Sequence, residues 1–179
     1  MKVILKYLFV FIVVSATSCD KNDFQPDYSN GQATAIMNGE NWIGQGRGYS
    51  NVHGIGIDAN FTVYDNLGQE RQNISFRKIP RSVGVYNVFN TSGQSTDSIS
   101  GCTFRTLTQD GDVVEDVYRV VETGEQSTIK VTDYRSSNRL ISGEFSLKLY
   151  IDPDRPKSNP SNPDTILFEM GEFEVKIEE

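Results

Sequence analysis

From residue 33 onward the hydrophobic residues of this chain fall mostly at every second position. Ile55, Ile57, Ala59, Phe61 and Val63 share one side of segment 54–64, and Ile141, Phe145, Leu147, Leu149 and Ile151 share one side of 139–151. Phe173, Val175 and Ile177 repeat the pattern further on. A period of two returns side chains to the same face of a β-strand, whereas an amphipathic helix needs a period of about 3.6. Polar punctuation separates the segments: Asp65, Asn66 and Gly68, then Pro80, Asp110-Gly111-Asp112, Gly124, and Ser136-Ser137-Asn138. The intervals predict strands at 33–37, 41–43, 54–64, 69–79, 83–89, 98–108, 113–122, 128–134, 139–151 and 165–177. The first two meet at Asn38-Gly39, the pair that most readily supplies the two positive φ angles of a type I′ hairpin. About ten strands at roughly 8–14-residue spacing predict an all-β chain, an antiparallel β-sandwich in mostly meander order, with a closed β-barrel as the alternative.

Gly143 and Gly171 each precede an alternating run, which predicts a bulge or a close backbone approach at both. Between the last two strands, segment 152–164 reads DPDRPKSNPSNPD and holds four of the six prolines. Proline has no N–H to give a ladder, so this segment is expected to project as a stiff, solvated loop of polyproline II character. Pro156, Pro160 and Pro163 are candidate contacts with a ligand or partner. A tolerated hairpin insertion is the plainer reading.

Ahead of the β pattern, Lys2 and Lys6 are followed by an apolar run from Tyr7 to Val14 and by the small residues Ser15 to Ser18. This is the layout of a secretory signal peptide, and the run is shorter than the roughly 20 residues that cross a bilayer core. Ala16-Thr17-Ser18-Cys19 resembles a bacterial lipobox, whose cysteine is acylated with chains such as palmitate and becomes the mature N-terminus. The resemblance implies a signal peptide over 1–18, a lipidated Cys19 heading a flexible tether over 19–32, and a single β domain over 33–179. One acyl chain anchors only marginally, whereas several hold firmly. Asp20-Lys21-Asn22-Asp23 is similar to the charged export signal of Bacteroidota surface lipoproteins. That similarity implies an outer-membrane protein facing the cell exterior, with a periplasm-facing orientation as the alternative.

Asn38-Gly39-x-x-Trp42, Ile141-Ser142-Gly143-Glu144-Phe145 and Gly171-Glu172-Phe173-Glu174-Val175 together resemble small Bacteroidota lipoproteins built on one β domain, a family with no established activity to lend. Gly39-Glu40-Asn41-Trp42 is similar to the Gly-x-Trp opening of lipocalins with one residue more, and it passes on no ligand residues. Asp97-Ser98-Ile99 and Asp164-Thr165-Ile166 match the O-glycosylation pattern of exported Bacteroidota proteins, which implies glycans on Ser98 and Thr165.

Charge and cysteine content narrow the partners. The chain carries −7, and without residues 1–18 its 15 basic residues face 24 acidic ones, leaving −9; nucleic acid is not an expected partner. Cys19 and Cys102 are the only cysteines, so a disulfide framework is excluded once the first is lipidated. Cys102 shares a strand face with Phe104 and is expected to be a small buried residue rather than a reactive thiol.

Candidate chemistry is sparse. His53 is the only histidine, and Gly-x-Ser-x-Gly, Cys-x-x-Cys and His-Glu-x-x-His are absent, so His53 reads as a turn residue. Asp110 with Asp112, and Asp152 with Asp154, offer two carboxylates each, short of the six to eight oxygens calcium takes; no metal or cofactor is expected. Arg77, Lys78 and Arg81 read as a solvated strand end rather than an anion site. Trp42, with Tyr49, Tyr64, Tyr86, Tyr118 and Tyr134, could stack on sugar rings if several shared an exposed face, and Trp42 and Tyr49 are the candidate contacts. Against that, a tryptophan beside a tight hairpin usually covers one end of a β core. The expectation is therefore a non-enzymatic binding or accessory module, anchored to the membrane by lipid, with an outer-membrane protein or a glycan as partner. A lipocalin-like carrier of a small apolar ligand comes second, and a hydrolase assembled from distant residues third.

Overall fold

Asn38 and Gly39 both take positive φ, 50° and 86°, so the chain reverses as a type I′ turn between β1 (Gly31–Met37) and β2 (Glu40–Ser50). The computed structural model describes residues 23–51, 54–90, 99–120 and 127–178; Cys19, His53 and Ser98 lie outside them. Eight further strands follow: β3 (Ile57–Tyr64), β4 (Glu70–Ile79), β5 (Gly84–Asn87), β6 (Gly101–Leu107), β7 (Val114–Val120), β8 (Thr128–Arg135), β9 (Leu140–Ile151) and β10 (Thr165–Glu178). The fold is all-β, ten strands in one mostly antiparallel sheet of order β1-β10-β2-β3-β4-β6-β7-β9-β8-β5. Because β1 also pairs with β2, and β10 with β9, the ladder β1-β2-β3-β4-β6-β7-β9-β10 returns to its start, and β8 and β5 extend from β9. Consecutive strands are mostly neighbours, which is the expected meander.

The sheet folds over so that β3, β4 and β6 face β9 and β10 across one layer of rings. Phe61 meets Phe173 at 6.1 Å between centroids, Phe76 meets Phe145 at 5.3 Å, and Phe104 meets Phe168 at 5.4 Å, all within the range of favourable edge-to-face contact. Phe61 and Phe145, which would line the cavity of a hollow barrel, are part of this packed stack. Trp42 stands edge-on to Phe168 at 5.4 Å, and its Nε1 donates to Gln72 Oε1 at 2.8 Å.

Both glycines read from the sequence are close approaches. At Gly171 the β9–β10 register shifts and Met170 takes φ 50°; a Cβ there would lie 2.5–2.6 Å from the Phe145 ring. At Gly143 a Cβ would run into the Lys130 carbonyl and the Phe173 ring.

Two expectations are corrected. The tether drawn to residue 32 is docked well before that point: Phe24 packs at a tilt against Tyr64, 5.1 Å between ring centroids, and its N–H donates to the Asn66 carbonyl, while the Asn30 carbonyl accepts from the Lys176 N–H. Segment 152–164 does not project freely either. Asp116, 3% exposed, accepts from Ser158 N at 2.7 Å, Asn159 N at 3.4 Å and Asn162 Nδ2 at 2.7 Å. Tyr118 OH donates to the Pro163 carbonyl at 2.8 Å; burial and then the carboxylates of Asp116, Asp164 and Glu115 push that hydroxyl's pKa up to about 12, so it keeps its proton. Asp152 is buried and faces Arg119 at 2.9 Å, an ion pair without the alignment of a hydrogen bond, and Arg155 at 3.9 Å. The prolines stay exposed, but the polar residues between them clamp the segment over the end of the core that Trp42 and Gln72 also close.

Replacing Gly171 with Ala should lower stability by about 1–3 kcal/mol, the cost of overpacking a filled core. Urea unfolding followed through Trp42 fluorescence measures it, and an unchanged midpoint would mean that Phe145 has room to retreat. Asp116→Ala should cost on the order of 1.5–3 kcal/mol, as for lost hydrogen bonds to a charged group, and should speed tryptic cleavage after Lys157. Cleavage at the wild-type rate would show that other contacts hold the segment.

Candidate functional site

The outward faces of β2, β3, β4 and β6 carry short polar side chains in register. Arg47 lies opposite Asn60, Asn60 opposite Ser75, Ser75 opposite Thr103, and Thr103 opposite Arg119. In the next row Gln45, Thr62, Asn73 and Arg105 follow one another across the same strands. Of these, Gln45, Arg47, Asn60, Thr62, Asn73, Ser75 and Arg105 floor a shallow depression of about 330 Å³ whose margin includes Tyr49, Tyr64, Glu70, Arg77, Leu107 and Val114. A chain of hydrogen bonds fixes the floor: Ser75 Oγ donates to Asn73 Oδ1 at 2.9 Å, and Asn73 Nδ2 donates to Thr62 Oγ1 at 2.8 Å. Thr62 and Ser75 are buried although they face outward. Ser75 thus gives its proton to an amide rather than to a base, and the arrangement presents donors and acceptors, not an activated nucleophile.

One carboxylate sets the basic margin. Asp58 accepts from the Lys78 N–H at 2.9 Å, from Asn51 Nδ2 at 3.1 Å and from Arg77 Nη1 at 3.0 Å. Lys78 takes φ 55° and the register shifts between Ile57 and Ala59, which turns Lys78 inward to 1% exposure and leaves Arg77 outward on the polar face. This corrects the reading of Arg77, Lys78 and Arg81 as one solvated strand end. Arg81 instead reaches Ser50 Oγ at 3.2 Å. Arg47 is hydrogen-bonded to Tyr49, which first of all raises its pKa, and burial raises that of Tyr64. Arg105 has its pKa lowered by burial and then by the like charges of Arg77, Arg155 and Arg119. The opposite outer face is different in kind: Glu144, Glu172 and Glu174 stand there, with Lys130 paired to Glu144 at 3.0 Å.

Of the residues singled out in the sequence, Tyr49 reaches the polar depression, half-buried at its edge. Trp42 does not: at 4% exposure it is core, and its reading as a ligand contact is corrected. Tyr118 is likewise core. Pro156, Pro160 and Pro163 are exposed on the clamped segment, away from that floor, and Thr165 is half-buried at the start of β10. Cys102 is buried, which pushes its thiol pKa well up and leaves it unreactive. The Asp110 carboxylate accepts from the Thr108 hydroxyl, the first cause of its lowered pKa, and Asp152 is committed to two arginines. Among the described residues no three of His, Cys, Asp and Glu converge as a metal site would require.

Arg47, Asn60, Asn73, Ser75 and Arg105 escaped sequence reasoning. Their signal was present as polar pairs two residues apart, Asn60/Thr62, Asn73/Ser75 and Thr103/Arg105, but only the strand register joins them into one surface. The chain matches no protein-family model, no curated protein and no solved structure.

Proposed function

We propose that this protein is a non-enzymatic binding module carried on an outer-membrane lipoprotein, and that the polar outer face of β2, β3, β4 and β6 is its ligand surface. The observation that carries the reading is the hydrogen-bonded floor of Thr62, Asn73 and Ser75. Solvent-facing strand positions usually carry long, mobile charged side chains. Short amides and hydroxyls locked to one another instead form a pre-organised surface, which spares a ligand the cost of ordering it. Such a floor suits a polyhydroxylated partner, and the half-buried Tyr49 at its margin supplies an aromatic ring beside it. The packed rings of Phe61 and Phe145 argue against a lipocalin-like carrier, which needs that space empty. In this reading Cys19 supplies the anchor and the domain faces the cell exterior. Because Phe24 is docked against Tyr64, only a short stretch separates the domain from that anchor.

With full-length protein in mild detergent and a panel of neutral and charged oligosaccharides, hydrogen exchange should slow on peptides covering 45–49, 60–64, 73–77 and 103–105 when a sugar binds. Protection confined to the β8–β9–β10 face, or a panel with no binder, would refute this assignment. Mass spectrometry of protein from its own membranes should find acyl chains on Cys19 and glycans on Ser98 and Thr165, and protease added to intact cells should digest it. Full protection from protease would reverse the orientation, and unmodified Ser98 and Thr165 would remove the glycans from the account.

A further inference from the structure

Resting on the binding-module reading, we propose that the ligand is an acidic sugar chain, one bearing carboxylate or sulfate groups, and that Arg105 is the residue that meets its charge. Arg77 and Arg105 both line the depression, Arg119 pairs in register with Thr103 one row along from Arg105, and the charges of Arg77, Arg155 and Arg119 all reach Arg105. Arg77 is paired with Asp58 at 3.0 Å, while Arg119 and Arg155 share Asp152 at 2.9 and 3.9 Å. Two carboxylates therefore serve three arginines, and Arg105 has neither an ion pair nor a hydrogen bond among the described residues. Partial burial and then its like-charged neighbours depress its pKa, and an arriving anion relieves the repulsion between the charges. Glu70 lies on the Tyr64 side of the depression.

Guanidinium offers a planar fork of donors that matches carboxylate and sulfate oxygens. From Arg105 the register leads directly onto Asn73 and then Thr62, so a chain whose acidic group sits on Arg105 lays its hydroxyls along the amide and hydroxyl floor. Arg47, hydrogen-bonded to Tyr49 at the far end of the floor, is placed for a second acidic group. A nucleic acid fits this surface less well, because its affinity comes from neutralising many phosphates and the mature chain carries −9.

Calorimetry on full-length protein in mild detergent, at about 0.15 M salt, tests the proposal with polygalacturonate for carboxylate, heparin for sulfate, dextran as the neutral chain and a single-stranded DNA oligomer. Polygalacturonate or heparin should bind and dextran should not, and the stronger of the two acidic chains identifies the anion. Arg105→Gln should weaken that binding about tenfold or more at an unchanged Tm, with Arg105→Lys intermediate because it keeps the charge and loses the fork. Lys130→Gln, on the opposite face, should leave binding unaltered. Dextran bound as tightly as the acidic chains, with Arg105→Gln without effect, overturns the acidic ligand while leaving a binding module. Preference for DNA overturns the sugar, and no binding by any chain overturns both.

Discussion

The core of this protein is one layer of rings thick, and that thickness constrains everything else. Phe76 meets Phe145 and Phe104 meets Phe168 across the fold, so the facing strands approach as closely as aromatic contact allows. Where a ring presses on the opposing backbone no side chain can stand. Gly171 is that place for Phe145, and the bulge at Met170 lets β10 keep its inward alternation beyond it. The same tightness fills the space between the described strands with rings, so a binding module built on this fold would meet its ligand on the outside of the sheet or in its loops.

On the outside, Asp58 decides what the surface becomes. By accepting the Lys78 N–H it holds β4 in a left-handed step, and a non-glycine residue takes that conformation only where the surroundings over-determine it. The step buries one cation, Lys78, and presents its neighbour Arg77 beside the floor that Ser75 and Asn73 build two and four residues earlier. A structural irregularity and a candidate binding surface therefore share one carboxylate.

What could be read in the sequence was local. The alternation, the Asn38-Gly39 turn and the two close-approach glycines all act within a few residues, and each has its expected counterpart in the structure. What could not be read depends on register between distant segments. Asn73 faces Arg105, 32 positions further along the chain, and nothing in either strand alone names the other. The loop at 152–164 failed for the same reason: its prolines correctly excluded it from the ladder, but the residue that clamps it, Asp116, reads in sequence as an ordinary polar strand residue. Trp42 divides the two cases, since its place beside a tight turn was legible and its partners Phe168 and Gln72 were not.

The segregation of charge between the two outer faces matters because the chain as a whole is acidic. An anion approaching the arginine side would be repelled by Glu144, Glu172 and Glu174 if their field reached it. Those carboxylates are on the opposite outer face, farther away than the roughly 10 Å between facing sheets, and because both sets of charges face solvent, salt screens them over a Debye length of about 8 Å, which weakens the repulsion at the arginine side. Near Arg105 the balance is local: the charges of three other arginines reach it, Asp58 and Asp152 are paired with those three, and Glu70 stands at the far, Tyr64 side of the depression. An acidic protein can in this way hold a locally basic surface, with attraction confined to contact distance and selectivity resting on the hydrogen-bonded floor rather than on long-range steering.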